Sequence, residues 1–349
     1  MTGKKTLLGK TLPELKQIAC ELGMPAYTAG QIADWLYKKR VVGIDEMTNL
    51  SLDNRNRLKE TFTVGSAPPV QHLPSQDGTV KYLFATSGGH FVESVFIPEE
   101  NRATLCVSSQ CGCKMNCLFC MTGKQGFLEN LSAQDIMNQI QSVPESPQLT
   151  NLVFMGMGEP IDNVEEVLKV LEILTADYGY SWSPKRITVS TVGLLPGLRQ
   201  VIERSQCHLA VSIHSPFAYQ REALMPVEKA YPIAKILELI REYDFSGQRR
   251  ISFEYILFKN LNDDIRHAKR LVRLLAGIPC RVNLIKYHAI PTVDLESPDI
   301  LSLQAFRDYL TSKGVTCTIR SSRGEDILAA CGMLSTKENR IFASKKQEY

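Results

Sequence analysis

Three cysteines stand close together in the stretch Cys113-Lys114-Met115-Asn116-Cys117-Leu118-Phe119-Cys120. Thiolates are soft ligands that suit iron–sulfur clusters and zinc. Three and then two intervening residues let one short loop wrap a small soft-metal centre. Three thiolates leave one iron of a four-iron cluster without a protein ligand, and that iron can take a substrate or cofactor. An aromatic residue, Phe119, precedes the third cysteine.

Further candidates follow downstream. Gly156-Met157-Gly158-Glu159-Pro160 comes after a β-rich run. Its two glycines let a ligand approach the backbone closely, and the Glu159 carboxylate can receive an ammonium group. Ser190 closes the run 186–191, and Ser212-Ile213-His214 closes the run 208–213. Hydroxyl and imidazole groups can bind a polar ligand. A serine in such a place is also an ordinary turn residue, and a lone histidine is more often a structural hydrogen-bonder.

Bringing these groups together requires a scaffold. Strand-like runs at 103–107, 151–156, 186–191, 208–213, 251–257, 281–286 and 315–320 alternate with helical stretches near 132–142, 163–175, 196–204, 231–243, 263–275 and 302–312. Ser132 and Asn163 are candidate N-caps, and Glu166 three residues after Asn163 completes a capping-box pattern. Six consecutive βα units predict an α/β fold, a partial (β/α)6 barrel of the TIM type that is two units short of the full form. Sites in such barrels lie at the C-terminal ends of the strands. The cysteine loop, Glu159 and the serines all follow strand ends, which places them in one pocket.

Residues 1–75 read as a small N-terminal helical accessory domain. Apolar residues at 12, 15, 18, 19 and 22 form a helical stripe. Gln31–Tyr37 and Leu50–Phe62 follow, the latter with Ser51 as N-cap. Such a unit either contacts RNA or packs as a cap on the main domain, and the sequence leaves both open. Residues 76–100 read as a β-hairpin extension, Val80–Thr86 and His90–Ile97 joined by Ser87-Gly88-Gly89. Residues 101–349 form the core.

With 349 residues, 44% of them hydrophobic and 22% charged, the chain suits a globular protein with a large core. No apolar run approaches about 18 residues, so no membrane span is expected. The N-terminus lacks the apolar segment of a signal peptide, and the expected location is the cytoplasm. Ten cysteines, half of them between 106 and 120, do not suit a secreted disulfide framework in so long a chain. In a reducing compartment such clustering points to metal or catalytic use. Cys20, Cys207, Cys280 and Cys317 sit among apolar residues and read as buried small hydrophobes. The net charge of +3 neither demands nor forbids nucleic acid. Lys38-Lys39-Arg40, Arg249-Arg250 and the tail after Lys337 are basic clusters that read as phosphate contacts or as solvated surface.

The three-cysteine spacing, followed by the Gly-Met-Gly-Glu turn, resembles the signature of the radical S-adenosylmethionine (SAM) enzymes. Four segments sharpen the resemblance: Arg102-Ala-Thr-Leu-Cys106-Val-Ser-Ser-Gln110, Gly112-Cys113 through Phe127, Gly156 through Pro160, and Arg323-Gly-Glu-Asp326 to Ala330-Cys331-Gly332. In this order they are similar to the RlmN/Cfr family, radical SAM enzymes that methylate adenosine carbons in 23S ribosomal RNA. The likeness runs from about Glu93 to Met333. It is greatest to the dual-specificity branch, which acts at adenine C2 of 23S rRNA and also on tRNA. The resemblance implies a [4Fe-4S] cluster on Cys113, Cys117 and Cys120, and two SAM molecules per turnover, one as methyl donor and one as radical source. It implies that Cys331 takes a methyl group to become S-methylcysteine. A 5′-deoxyadenosyl radical then removes hydrogen from that methyl, and the carbon radical adds to the adenine. Cys106 resolves the adduct through a transient disulfide with Cys331, and Glu93 is the proton acceptor. SAM contacts carry over to Gly158, Glu159, Ser190, Ser212, Ile213 and His214. The implied partners are 23S rRNA, tRNA and a one-electron donor such as flavodoxin or ferredoxin, for a chain expected to be monomeric.

One departure concerns Val282-Asn283-Leu284-Ile285-Lys286-Tyr287-His288, where a histidine stands in place of the asparagine of many members. An imidazole nitrogen can replace an amide as a hydrogen-bond partner, so His288 joins the SAM-contact candidates. Cys111 beside the cluster loop is also unusual. Three alternatives stay open. The C8-methylating, antibiotic-resistance branch shares all these residues. A radical SAM enzyme could act on a small molecule. A non-catalytic protein could bind zinc through Cys111, Cys113, Cys117 and Cys120.

Overall fold

The structure, a computed structural model, describes residues 4–336 except Ser246, Gln248 and Thr292. The basic tail after Lys337 lies outside the described residues.

The N-terminal unit begins with β1 (Lys5–Thr6), α1 (Leu12–Glu21), α2 (Thr28–Ala33) and α3 (Leu52–Thr61), and closes with β2 (Phe62–Thr63), which pairs in parallel with β1. The expected stripe on α1 buries Leu15, Ile18 and Ala19. Ser51 caps α3 by accepting from the Asn54 N–H at 3.2 Å. Gly9 sits at φ +81° where a Cβ would stand 2.4 Å from the Gln134 nitrogen, so this unit docks its backbone directly on the helix that begins at Ala133. The Gln134 side chain donates to the Gly65 carbonyl at 2.8 Å, and Arg40 donates to Ser146 at 3.0 Å. The apolar residues of this unit and of the barrel merge in one core.

Ten strands form the main sheet: β3 (Gln71–Pro74), β4 (Val80–Ala85), β5 (Phe91–Glu99), β6 (Arg102–Cys106), then, beyond a small β7–β8 ladder (Gln110–Cys111 and Glu129–Asn130), β9 (Asn151–Phe154), β10 (Ile187–Thr191), β11 (His208–Ser212), β12 (Ile251–Leu257), β13 (Cys280–Lys286) and β14 (Thr316–Ile319). Their spatial order is β14-β13-β12-β11-β10-β9-β6-β5-β4-β3. From β6 to β14 every pairing is parallel, whereas β3 to β6 are antiparallel. Parallel strands need crossover helices. These are α4 (Met121–Gln125), α5 (Ala133–Gln141), α6 (Val164–Thr175), α7 (Leu195–Arg204), α8 (Ala218–Leu224), α9 (Ile233–Arg241), α10 (Ile265–Leu274) and α11 (Ile300–Ser312). Helices cover one face of these strands; β12 is buried almost throughout, whereas β10 and β13 alternate buried with half-buried or exposed residues, the more open set facing the barrel interior. One cavity is lined both by Ile319 of β14 and by Ile97, Arg102 and Thr104 of β5 and β6. The sheet therefore curls until β14 faces β5 and β6 without hydrogen-bonding to them, an open barrel extended by a hairpin, as the sequence predicts. Among the described residues no helix is long and apolar enough to cross a membrane.

Three local expectations change. Asn163 does not cap α6 with its side chain. Its amide donates to the Ser109 and Leu131 carbonyls at 2.9 and 2.7 Å, and Glu166 accepts from the Ala133 N–H at 2.7 Å. Asn163 thus holds the segments beside the cluster loop, and Glu166 holds the first turn of α5 instead of the start of its own helix. Cys20 is exposed, whereas Cys207 and Cys317 are buried. Arg249 is no surface phosphate ligand: it is buried and donates to the carbonyls of Val201, Ile202 and Cys207, the open end of α7.

Candidate active site

The cluster loop leaves β6 and folds back through two backbone positions of positive φ, Gly112 (+76°) and Asn116 (+48°). A Cβ at residue 112 would lie 1.7 Å from the Gly126 carbonyl oxygen, so only glycine lets the loop close. The Cys113 N–H donates to Gly126 at 3.3 Å, Leu118 to Leu224 at 2.8 Å, and Cys120 to Cys117 at 3.2 Å. The loop thus turns Cys113, Cys117 and Cys120 onto one cavity at the C-terminal ends of the strands, about 910 Å³ counted out to its mouth. All three are free thiols. Burial pushes the Cys113 thiol up to about 12 and raises that of Cys117, and neighbouring thiols and Glu159 add to both. A strongly positive centre is what makes two thiols so placed, Cys113 and Cys117, ionise. A soft donor set with one coordination place left over fits a [4Fe-4S] cluster. Cys111 belongs elsewhere: it is buried in the β7–β8 ladder and its thiol donates to the Phe91 carbonyl at 3.2 Å. That contact argues against a four-thiolate zinc site.

The same cavity is lined by Gly158, Glu159, Ser190, Ser212 and His214. Gly158 is at φ +94°, with the Gln110 side chain 2.4 Å from any Cβ. Glu159 is buried and accepts from the Val192 and Ile161 N–H groups at 3.0 and 3.4 Å. Burial nevertheless pushes its carboxyl up to about 7. A buried carboxylate in that condition gains most from a cation, and an ammonium group supplies one. His214 Nδ1 accepts from the Ile256 N–H at 3.0 Å, so the proton of the neutral ring sits on Nε2. Burial lowers its pKa to about 3, which keeps it neutral. Phe119 stands edge-on to it, ring centroids 4.8 Å apart.

Two expected contacts lie apart from this cavity. Ile213 is fully buried and donates its N–H to the Glu254 carbonyl at 3.0 Å. His288 lines the neighbouring cavity, where its Nε2 is 3.0 Å from the Ser322 hydroxyl.

Cys331 lines both cavities and is exposed, whereas Cys106 at the end of β6 is buried. Burial pushes the Cys106 thiol up to about 12, and the charge of Cys331 adds to that; the second cavity that Cys331 lines is bordered by Val153, the strand partner of Cys106. The segment around Cys331 is tied on three sides. Gly332 accepts from Met121 of α4 at 2.8 Å. Asp77, in the β3–β4 turn, accepts from the Gly324 N–H at 3.0 Å, and Asp326 accepts from Ser75 at 2.6 Å. Glu93 accepts from the Ser335 N–H at 3.0 Å. Glu93 is therefore not an exposed hairpin carboxylate. It is buried and ion-paired with Lys81 at 3.1 Å. Its strand neighbour Val95 pairs with Cys106, and alternation puts Glu93 on the same sheet face. It faces a third cavity, shared with Lys81 and Met333.

Sequence reasoning missed two arginines. Arg320, just after β14, lies 3.6 Å from Glu254 and lines both cavities beside Cys331. Its charge favours the thiolate of Cys106. Arg221 on α8 is fully buried, ion-paired with Glu228, and donates to the carbonyls of Val192 and Ser212 at 2.9 and 3.1 Å. It ties together the ends of β10 and β11, which carry Ser190 and Ser212. Removing one partner of such a pair leaves a buried charge at a cost of about 3–5 kcal/mol. A single arginine in a short helix carries no sequence signal of this kind. The Arg320 position adjoins the Arg323 motif and was within reach.

Comparison with known proteins agrees with this arrangement. Residues 107–272 match the Radical SAM superfamily, and residues 5–64 match the ribosomal RNA large subunit methyltransferase N-terminal domain. The chain is 64% identical to a probable dual-specificity RNA methyltransferase RlmN of Parabacteroides distasonis, over 98% of this chain and 100% of that one. It is 40% identical to the dual-specificity RNA methyltransferase RlmN of Nitratiruptor sp., over 96% and 99% of the two chains. A crystal structure of a radical SAM methyltransferase from Sphaerobacter thermophilus superposes with a TM-score of 0.88 at 38% identity, covering 95% of this chain and 99% of that one. The chain belongs to the RlmN family of radical SAM RNA methyltransferases, enzymes that use a [4Fe-4S] cluster and SAM.

Proposed function

We propose that this enzyme methylates C2 of adenosine, at position 2503 of 23S rRNA and at position 37 of tRNA. The observation that carries this reading is the place of Cys331, which lines both the cavity of the three cluster-loop thiols and the one bordered by Val153, the strand partner of the sequence-distant Cys106. Adenine C2 is an electron-poor amidine carbon and no nucleophile, so direct polar attack on a methyl donor is closed to it. A protein-borne methyl group opens another route. Cys113, Cys117 and Cys120 hold the cluster, Glu159 receives the SAM ammonium, and Gly158, Ser190, Ser212, Ile213, His214 and His288 are the further SAM contacts. Ile213 and His288 contribute from outside the first cavity. The bound cluster and SAM supply the methyl group and, on one-electron reduction, a hydrogen-abstracting species.

The rest falls to side chains. Cys331 accepts the methyl as a thiolate, because the thiolate is the nucleophilic form, and Arg320 stabilises negative charge on the paired sulfurs. Joining the radical carbon to adenine leaves one unpaired electron on the ring, which passes to the oxidised one-electron carrier as Glu93 takes the proton from the reacting carbon. Cys106 then attacks the Cys331 sulfur. A disulfide forms, the sulfur–carbon bond breaks, and its electron pair leaves with the carbon, which takes a proton to become the product methyl.

We infer that residues 1–75 act as an accessory domain for RNA contact, that 76–100 form the hairpin carrying Glu93, and that 101–349 form the catalytic core. The chain works as a cytoplasmic monomer with a one-electron donor such as flavodoxin or ferredoxin. The test is mass spectrometry of nucleosides from RNA treated with the reduced, cluster-loaded enzyme. The expected product is 2-methyladenosine. Methyl found only at C8 would replace this reading with the resistance-type one, and unmodified RNA would remove both.

A further inference from the structure

Two cavities meet at Cys331, and their charges are opposite. The first, with the cluster-loop thiols, carries the carboxylates of Glu159 and Glu254 against the single cation Arg320. It suits a cationic ligand, and the sulfonium and ammonium of SAM are cations. The second lies in the open gap of the barrel, between the C-terminal ends of β13 and β14 and the strands β5 and β6. Arg102, Arg320 and Arg323 line it against one carboxylate, Glu99. Ile285, Arg320 and Cys331 are common to both cavities.

The cations of the second cavity are not equally engaged. Arg320 leans inward on Glu254 at 3.6 Å. Arg323 reaches Asp77 only at 4.0 Å, and its Nε is buried with no hydrogen-bond partner. Arg102, at the start of β6, is exposed and joins no ion pair among the described residues. The Ser321 and Ser322 side chains line the wall between β14 and Arg323. An orphaned guanidinium donor and an uncommitted arginine, on opposite lips of one gap, make a site for an anion with several acceptor oxygens.

We propose that this second cavity takes the phosphodiester backbone beside the target adenosine, with Arg102 and Arg323 as its cationic contacts. The assignment rests on the RNA-methyltransferase reading above. It gives Cys331 a position between two compartments. The sulfur is methylated from the acidic side and presents its carbon to a nucleotide held from the basic side. Segregation by charge also keeps phosphate out of the cluster cavity, where Glu159 and Glu254 repel it.

A phosphate contact has a thermodynamic signature that a structural role lacks. Each neutralised phosphate releases counterion, so the logarithm of affinity falls with the logarithm of salt by roughly 0.7 per contact for single-stranded RNA. Binding of protein-free 23S ribosomal RNA to the cluster-loaded enzyme is measured by anisotropy between about 50 and about 200 mM salt. Arg102→Gln and Arg323→Gln are each expected to lower the slope by roughly 0.7, so that this salt interval costs about threefold less affinity than in the unaltered enzyme. Arg323→Lys keeps the charge and should restore the slope. Arg204→Gln, on the outer surface of α7, should leave it unchanged. Slopes for Arg102→Gln and Arg323→Gln equal to that of the unaltered enzyme would overturn the assignment, while RNA methylation by the unaltered enzyme would leave the functional reading standing. An unaltered enzyme that methylates no RNA would overturn both.

Discussion

Cys106→Ala is expected to stop the enzyme with RNA attached. Cys331 is exposed and Cys106 is buried; in the proposed route the exposed sulfur meets the substrate and the buried one displaces it. Without the buried sulfur the bond between Cys331 and the methylene carbon has no partner to break it. Under turnover conditions, denaturing gels should show a slow band that contains both protein and RNA and collapses on nuclease treatment. Methylated product should fall on the order of 10⁴-fold or more, as when a group acting in the chemical step is removed. Cys106→Ala combined with Cys331→Ala should give neither band nor product. Continued release of methylated RNA by Cys106→Ala would remove the resolving role.

Glu159→Gln carries the second large effect, in SAM binding. The buried carboxyl is pushed up to about 7 from its ordinary value of 4.5. Below that value the group holds a proton that an incoming ammonium must displace. Apparent SAM affinity should therefore fall about tenfold for each pH unit below 7. Near pH 8 the carboxylate is ionised and meets the ammonium directly, and loss of that buried charge contact in Glu159→Gln should weaken binding by about 3 kcal/mol, on the order of 10²-fold. The variant has nothing to titrate, so its affinity should be flat across the same range. Stability without SAM follows the opposite sign. A carboxyl whose folded value lies above its unfolded one favours the folded state below about 4.5, and that advantage is lost as pH rises through about 7. Denaturant midpoints of the SAM-free protein should drop over that window, and those of Glu159→Gln should not. Calorimetric titration of SAM at several pH values measures the binding half of this prediction.

Much of the barrel is legible in the sequence because its strands are short β-branched and apolar runs, buried almost throughout in β12 and alternating in β10. The stretch 251–257 coincides with β12, and 186–191 differs from β10 by one residue. The exposed strand β3 gives no such run, since all four of its residues face solvent. α8 is hidden by its seven-residue length between Pro216 and Pro226. Asn163 shows the limit of local rules. A side chain with cap chemistry is taken by carbonyls of a loop that folds against it, and only tertiary structure reveals that.

The site divides in the same way. The three cluster-loop cysteines and Glu159 are readable from spacing, because one loop and one turn each carry their own chemistry. Cys106, Cys331 and Glu93 are not, because the contacts among their segments depend on strand register and on a segment more than 200 residues away. Only the family resemblance selects them from the sequence. The burial of Glu93 against Lys81 follows from the β4–β5 pairing, in which Lys81 and Glu93 both lie on strands whose register no local pattern states.

The central claim is that the methyl carbon passes through Cys331. Enzyme bearing an unlabelled methyl on Cys331 is mixed with RNA, reductant and SAM carrying a deuterated methyl, and the first turnover is quenched. The predicted first-turnover RNA product carries the unlabelled carbon, and the peptide containing Cys331 has lost its methyl and is recovered in a disulfide with Cys106. A first-turnover RNA product bearing the deuterated methyl, with Cys331 unchanged, would contradict the account.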